Sequence, residues 1–170
     1  DVLTIIAPRH PDRGADISTE LTATGAHVVC RAKAQPLSAE TDIYIADTMG
    51  ELGLFFRLCP VSFMGKSLVD LGGQNPIEPA RLNSTIVFGP HMWNFPDITE
   101  RLVAAGAAQF VSDAGSLADA VAALLADKTL RQTRVDKAHA IAESESAVLE
   151  KVLGELAPFL TTLEDKATGA

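Results

Sequence analysis

Cysteine is scarce: the 170 residues hold two, Cys30 and Cys59. They lie far apart and outside any metal spacing, which suits a reducing compartment and two buried thiols rather than a disulfide framework. His10, His27, His91 and His139 show no ligand spacing either, and read as structural or surface residues with no metal site among them. No apolar run is long enough to cross a bilayer before a charge interrupts it. No charged-then-apolar leader opens the chain, which enters a strand almost directly from Asp1, as a piece cut from a longer protein would. Basic residues are outnumbered, 14 Lys and Arg against 22 Asp and Glu. The resulting formal charge of −8 argues against nucleic acid or anionic lipid as a general partner, leaving room for a local basic spot at Arg9. A Gly-x-Gly-x-x-Gly after the first strand is missing, and so is a Walker loop. Those absences remove the commonest nucleotide folds and leave sugar nucleotides.

What remains is ordinary globular composition, 47% hydrophobic and 21% charged, fitting one soluble, cytosolic-side domain with a real core. Apolar runs at Val2–Ala7, His27–Arg31, Asp42–Ala46, Val61–Met64, Thr85–Phe88 and Ala108–Val111 read as strands, the first buried on both faces. Helical periods fill Asp16–Thr24, Met49 to Leu58, Pro76–Leu82, Phe95–Ala105 and Ser116–Ala126. From Thr129 to Leu163 the pattern stays helical, with a break expected at Ala142–Ser146. Strand and helix alternate with short connections, which predicts an α/β fold: a Rossmann-like parallel sheet of about six strands with helices on both faces. Residues 1–145 form that domain in this reading, and 146–170 an amphipathic C-terminal helix and tail. Val148, Leu149, Val152, Leu153, Leu156, Phe159, Leu160 and Leu163 make one stripe of it. Its early turns are expected on the domain's own core and its last turns against a second domain.

Ligands of such sheets sit beyond the carboxyl ends of the strands. Pro8-Arg9, Thr48–Glu51, Lys66–Glu78 and Gly89–Asn94 all follow strands and so share one edge of the expected sheet. Arg9 can fork onto a phosphate, or pair on the surface with Asp12 or Asp16. Thr48-Met49-Gly50-Glu51 fits a capping box, with Thr48 and Glu51 exchanging side-chain-to-backbone bonds. Gly50 gives the same stretch a second reading, because a glycine there clears the way for a phosphate at a helix N-terminus. In Asn75-Pro76-Ile77-Glu78, Asn75 suits the N-cap, Pro76 the first helical position and Glu78 the third. Pro79 removes a further donor, and so rigid a turn holds Glu78 where it can read ribose hydroxyls.

Taken in order, Pro8-Arg9-His10-Pro11, Asp47-Thr48-Met49-Gly50-Glu51-Leu52, Gly72-Gly73-Gln74-Asn75-Pro76-Ile77-Glu78-Pro79-Ala80 and Gly89-Pro90-His91 resemble the 3-deoxy-D-manno-octulosonic acid (Kdo) transferases. These are GT-B glycosyltransferases of lipopolysaccharide biosynthesis, and the resemblance is to their C-terminal, donor-binding half. It departs from the family at Gln74, where histidine is usual, and at Lys66, where a small residue is usual. The resemblance implies transfer of Kdo from CMP-Kdo to the 6′ hydroxyl of a lipid A precursor, with inversion and without a metal or other cofactor. It also implies that Pro8 and Arg9 meet the CMP moiety, Met49, Gly50 and Glu51 its phosphate and cytidine, and Asn75, Pro76, Ile77 and Glu78 the ribose and phosphate. The general base, the acceptor surface and the membrane anchor are expected in an N-terminal half outside this chain. That places the whole enzyme at the cytoplasmic face of the bacterial inner membrane, with the fragment alone soluble and inactive. A donor domain for a UDP-sugar transferase or epimerase, and a non-catalytic nucleotide-binding module, stay open beside this reading.

Overall fold

A computed structural model describes the backbone of residues 2–168 and the side chains of 2–145 and 154–157. The chain divides into two compact units, Asp1–Phe55 and Phe56–Ala170. Among the described residues six strands form two parallel sheets of three, not the single sheet expected from the sequence. The physical reason is that alternating strands and helices dictate parallel βα units but leave open which strand hydrogen-bonds to which.

In the first unit, β1 (Thr4–Ile6) and β2 (Val28–Cys30) flank β3 (Ile43–Ile45). Ile43 lies opposite both Thr4 and Val28, and Ile45 opposite Ile6 and Cys30. A 3₁₀ turn (Pro11–Arg13) leads into α1 (Gly14–Thr22). Tyr44 and Ala46 pack with Phe55, Ile5 and Val29, the two aromatic rings tilted with centroids 6.0 Å apart. The first strand is not buried on both faces as its apolar run predicts. It lies on the edge of its sheet, and Val2 and Leu3 are 63% and 43% exposed.

In the second unit, β5 (Thr85–Phe88) is central between β4 (Val61–Phe63) and β6 (Ala108–Phe110), and every residue of β5 is buried. Side chains alternate across a strand, and here both faces are covered. Ile86 and Phe88 join Met64, Met92, Ile98, Leu102 and Ala138, while Val87 joins Val111, Leu124, Leu117 and Val61. The first face is closed by α3 (Ile77–Arg81), α4 (Pro96–Ala104) and α6 (Lys128–Thr168), the second by α5 (Ala114–Ala126). Full burial of Phe88 alone contributes about 1.5–3 kcal/mol. Asp113 starts α5 with a reciprocal capping box with Ser116, two residues earlier than the sequence suggested, and these bonds hold its carboxyl below the usual range. The expected break near Ala142–Ser146 is absent. Ser144 bonds back to the Ile141 carbonyl (2.6 Å), so a residue that often ends helices is satisfied within this one. Arg101 of α4 also holds Ser144 (2.8 Å) and pairs with Glu145. Val135, Ala138 and Ala142 of α6 are buried. Of the tail stripe Leu156 is exposed, while the side chains of Val148, Leu149, Val152, Leu153, Phe159, Leu160 and Leu163 lie outside the described ones.

Thr85 is fully buried, yet its Oγ1 finds no hydrogen-bond partner. Thr85→Val keeps the shape and removes the unpaired hydroxyl, so urea unfolding should show a gain of about 1 kcal/mol. A loss of stability would mean that the hydroxyl is satisfied after all.

Candidate functional site

In the first unit the three strands end on one edge of their parallel sheet, and the segments beyond them carry the polar residues. Pro8, half-buried, and Arg9, exposed, follow β1. Arg9 makes no hydrogen bond or ion pair with a described residue. The surface pairing open to it from sequence is not made, since Asp16 lies 3.9 Å from Arg13 instead. Beyond β3, Asp47 accepts a bond from the Ala32 N–H (2.8 Å) and lies against Gly14, where a β-carbon would fall 2.5 Å from that of Asp47.

Met49 is exposed at the tip of the next turn, and Gly50 has φ +90° with open space where a side chain would stand. That left-handed backbone keeps the helix from starting at Met49. Helix α2 runs Leu52–Leu58, with the Glu51 carbonyl accepting from Leu54 and Phe55. Glu51 therefore precedes the helix, and the capping box with Thr48 does not form in its expected register. Instead the Thr48 hydroxyl donates to the Glu51 carboxylate (2.5 Å), which also takes a two-pronged bond from Arg31, at 3.0 Å from Nε and 2.7 Å from the terminal nitrogen. The Arg31 and Thr48 hydrogen bonds hold the Glu51 carboxyl at about 2, well below its ordinary 4.5, and Glu51 in turn raises Arg31. Charge is favoured in the folded state, so this contribution to stability is complete above pH 4.5 and is lost as the pH falls toward 2. Arg31 was missed in the sequence. Its one signal was that it closes the strand-like run His27–Arg31, much as Arg9 comes just after the run Val2–Ala7.

In the second unit, the segments after β4 and β5 interlock. Buried Ser67 donates to the Met64 carbonyl (2.6 Å) and accepts from the Gly89 N–H (2.8 Å), and its own carbonyl accepts from the His91 N–H (2.9 Å). Gly72 and Gly73 take φ +81° and +70°. A β-carbon on Gly72 would sit 2.3 Å from the Asn94 side chain, and one on Gly73 2.2 Å from the Met92 sulfur. Asp70 accepts from the Trp93 indole N–H (2.8 Å) and lies 3.4 Å from His91 Nδ1. Neither Ser67 nor Asp70 stood out in the sequence, because a lone Ser or Asp in a loop is ordinary turn chemistry.

This interlocked platform leads into Asn75–Glu78. The expected cap is shifted by one residue: buried Pro76 occupies the N-cap, Ile77 begins the helix and Glu78 is its second residue. Asn75 accepts from the Ile77 N–H (3.0 Å) in an Asx turn. Glu78 is exposed and its carboxylate has no described partner. Gln74 is half-buried, and Lys66 is exposed with φ +66°, a conformation that disfavours a large side chain. The structure thus brings Pro8, Arg9, Met49, Gly50 and Glu51 together on the first unit's edge, and Asn75, Pro76, Ile77 and Glu78 on the second's. Cys30 is buried as expected, whereas Cys59 is only half-buried, and burial raises its thiol. Among the described residues no three of His, Cys, Asp and Glu converge to hold a metal ion, and no helix is long and apolar enough to cross a membrane.

No protein-family model matches the chain. The 3-deoxy-D-manno-octulosonic acid transferase of Haemophilus influenzae is 31% identical over 161 residues, covering 94% of this chain and 38% of that protein. The transferase of the same name from Bordetella pertussis is 31% identical over 159 residues, covering 93% and 37%. The chain therefore spans well under half the length of these relatives. Among solved structures, the C-terminal CMP-Kdo binding domain of WaaA from Acinetobacter baumannii superposes with a TM-score of 0.77 at 34% identity, over 81% of this chain and 72% of that one. Parallel three-stranded sheets, flanking helices and this likeness define the C-terminal domain of a GT-B glycosyltransferase. Within that class, the chain belongs to the 3-deoxy-D-manno-octulosonic acid transferase family.

Proposed function

We propose that this chain is the donor-binding half of an enzyme that transfers Kdo from CMP-Kdo to a lipid A precursor in lipopolysaccharide biosynthesis. The observation that carries the reading is the 34% identity and TM-score of 0.77 to a CMP-Kdo binding domain. Pro8 and Arg9 meet the CMP moiety, Met49, Gly50 and Glu51 its phosphate and cytidine, and Asn75, Pro76, Ile77 and Glu78 its ribose and phosphate. When the sugar departs, charge builds on the CMP phosphate, and a cation aimed at it lowers the transition state more than the ground state. Arg9 fits that role because it is exposed and no described carboxylate pairs with it. Helices α2 and α3 have only seven and five residues, so the anion falls to Arg9 and to backbone N–H groups at Gly50 more than to helix dipoles. The general base that deprotonates the acceptor, the acceptor site and the membrane association belong to the remainder of the enzyme, at the cytoplasmic face of the inner membrane. Residues 1–145 form the nucleotide-sugar domain in this proposal, and 146–170 a helix that packs toward that remainder. No metal or other cofactor takes part.

The test is a titration of the purified chain with CMP, CMP-Kdo, UDP and UDP-GlcNAc. CMP and CMP-Kdo should bind, and a stronger response to UDP would favour a UDP-sugar enzyme. Glu78→Ala should weaken CMP binding about tenfold by removing charge-assisted bonds to the ribose, with the melting temperature unchanged. A melting temperature that drops while CMP affinity holds would make Glu78 a helix-cap residue only. The chain alone should transfer no Kdo.

A further inference from the structure

Glu51 is an unusual residue to find at a phosphate-bearing ligand, because a free carboxylate would repel it. The surroundings of Glu51 resolve this. Three donors converge on its two oxygens: Nε and a terminal nitrogen of Arg31, and the Thr48 hydroxyl. Arg31 itself stands on a fixed base. Its N–H donates to the Ile45 carbonyl at the end of β3 (2.9 Å), and its carbonyl accepts from Ala34 (2.9 Å), which folds the segment after β2 back on itself. Cys30, just before it, is tied to Gln35 Oε1 (3.0 Å). The side chain of Arg31 is therefore launched from the sheet edge in a set direction.

We propose that Arg31 is a positioning residue for the donor nucleotide: its planar fork fixes the Glu51 carboxylate, and through it the Thr48–Glu51 turn, in the conformation that receives CMP. The proposal rests on the reading that Met49, Gly50 and Glu51 contact CMP. An exposed ion pair contributes little to stability on its own, but two-pronged geometry with a third donor is the arrangement that orders a loop. The turn needs such an anchor, since Gly50 is the residue least able to hold a conformation by itself and Met49 has no burial to hold it. Lysine cannot replace the fork, because its ammonium is a point charge on a flexible stem.

The experiment compares this chain with its Arg31→Ala and Arg31→Lys variants. CMP affinity is read by calorimetry, and the Glu51 carboxyl and the Met49 and Gly50 amides are followed by NMR without ligand across pH 2 to 7. In Arg31→Ala, CMP should bind about tenfold or more weakly, the scale of loss expected when a contacting group is misplaced. In the ligand-free NMR series the same variant should raise the Glu51 midpoint from about 2 toward 4.5 and shift the two amides. Arg31→Lys should restore less than half of the lost binding free energy. Unchanged CMP affinity in Arg31→Ala, or full rescue by lysine, would overturn the proposal. Should the unaltered chain fail to bind CMP, the functional reading falls, and Arg31 is judged on the NMR series alone. A Glu51 midpoint and amides unmoved by Arg31→Ala would then overturn its positioning role, and displaced ones would uphold it.

Discussion

Arg9→Ala should weaken CMP binding about ten- to a hundredfold, the worth of charge-assisted bonds to a phosphate, while leaving the melting temperature where it is. The separation of the two effects follows from where Arg9 stands. It is exposed beyond β1, so its removal breaks no hydrogen bond or ion pair with a described residue. Asp16, which could have neutralised it, lies beside Arg13. The dependence on salt should change with it. Affinity of the unaltered chain should fall as ionic strength rises through about 0.15 M, and the alanine variant should show a flatter response. Arg9→Lys keeps the charge but loses the fork and should fall between the two. An affinity unaltered by Arg9→Ala would remove the cation from the proposed leaving-group site.

Gly89→Ala should be the most destabilising single-methyl change in the second unit, about 2–3 kcal/mol by urea unfolding. A β-carbon there would lie 2.4 Å from the Ser67 carbonyl oxygen and 2.7 Å from its carbon. Both are backbone atoms, so no rotamer change relieves the clash. The Gly89 N–H bonds to the Ser67 hydroxyl, and Ser67 also receives the His91 N–H, so displacing either strand end pulls on the segments after β4 and β5 together. Phe88, next in the chain, is 1% exposed and cannot yield without opening the core. A loss below about 0.5 kcal/mol would show that the two segments slide freely, and that the platform before Asn75 is soft.

The elements were legible in the sequence because both their periods and their stops are local. Thr85–Phe88 has the bounds read from its apolar run, and α4 ends within a residue of the expected Ala105. Sheet membership was not legible, because pairing of β4 with β5 or of β1 with β3 is decided by packing between distant segments. The caps failed by one to three residues for identifiable reasons. Gly50 takes a left-handed backbone that no residue pattern announces, and Asn75 spends its side chain on an Asx turn rather than on the helix end. The segments that hold the candidate residues were readable, since Gly72–Pro79 and Met49–Glu51 gather their glycines, prolines and carboxylates in adjacent positions. Arg31 was not, because its partner is twenty positions away and nothing around it resembles a turn signal.

The bond between Asp70 and the Trp93 indole has a practical side. The sequence holds a single tryptophan and a single tyrosine. Trp93 reports from the platform of the second unit, and Tyr44 from the buried aromatic contact of the first. Each unit thus carries its own natural chromophore. Emission excited selectively at the indole follows the second unit through a denaturant series, and near-ultraviolet dichroism of the phenol follows the first. Coincident curves would mean that the two melt as one cooperative body, and displaced curves that each has its own transition.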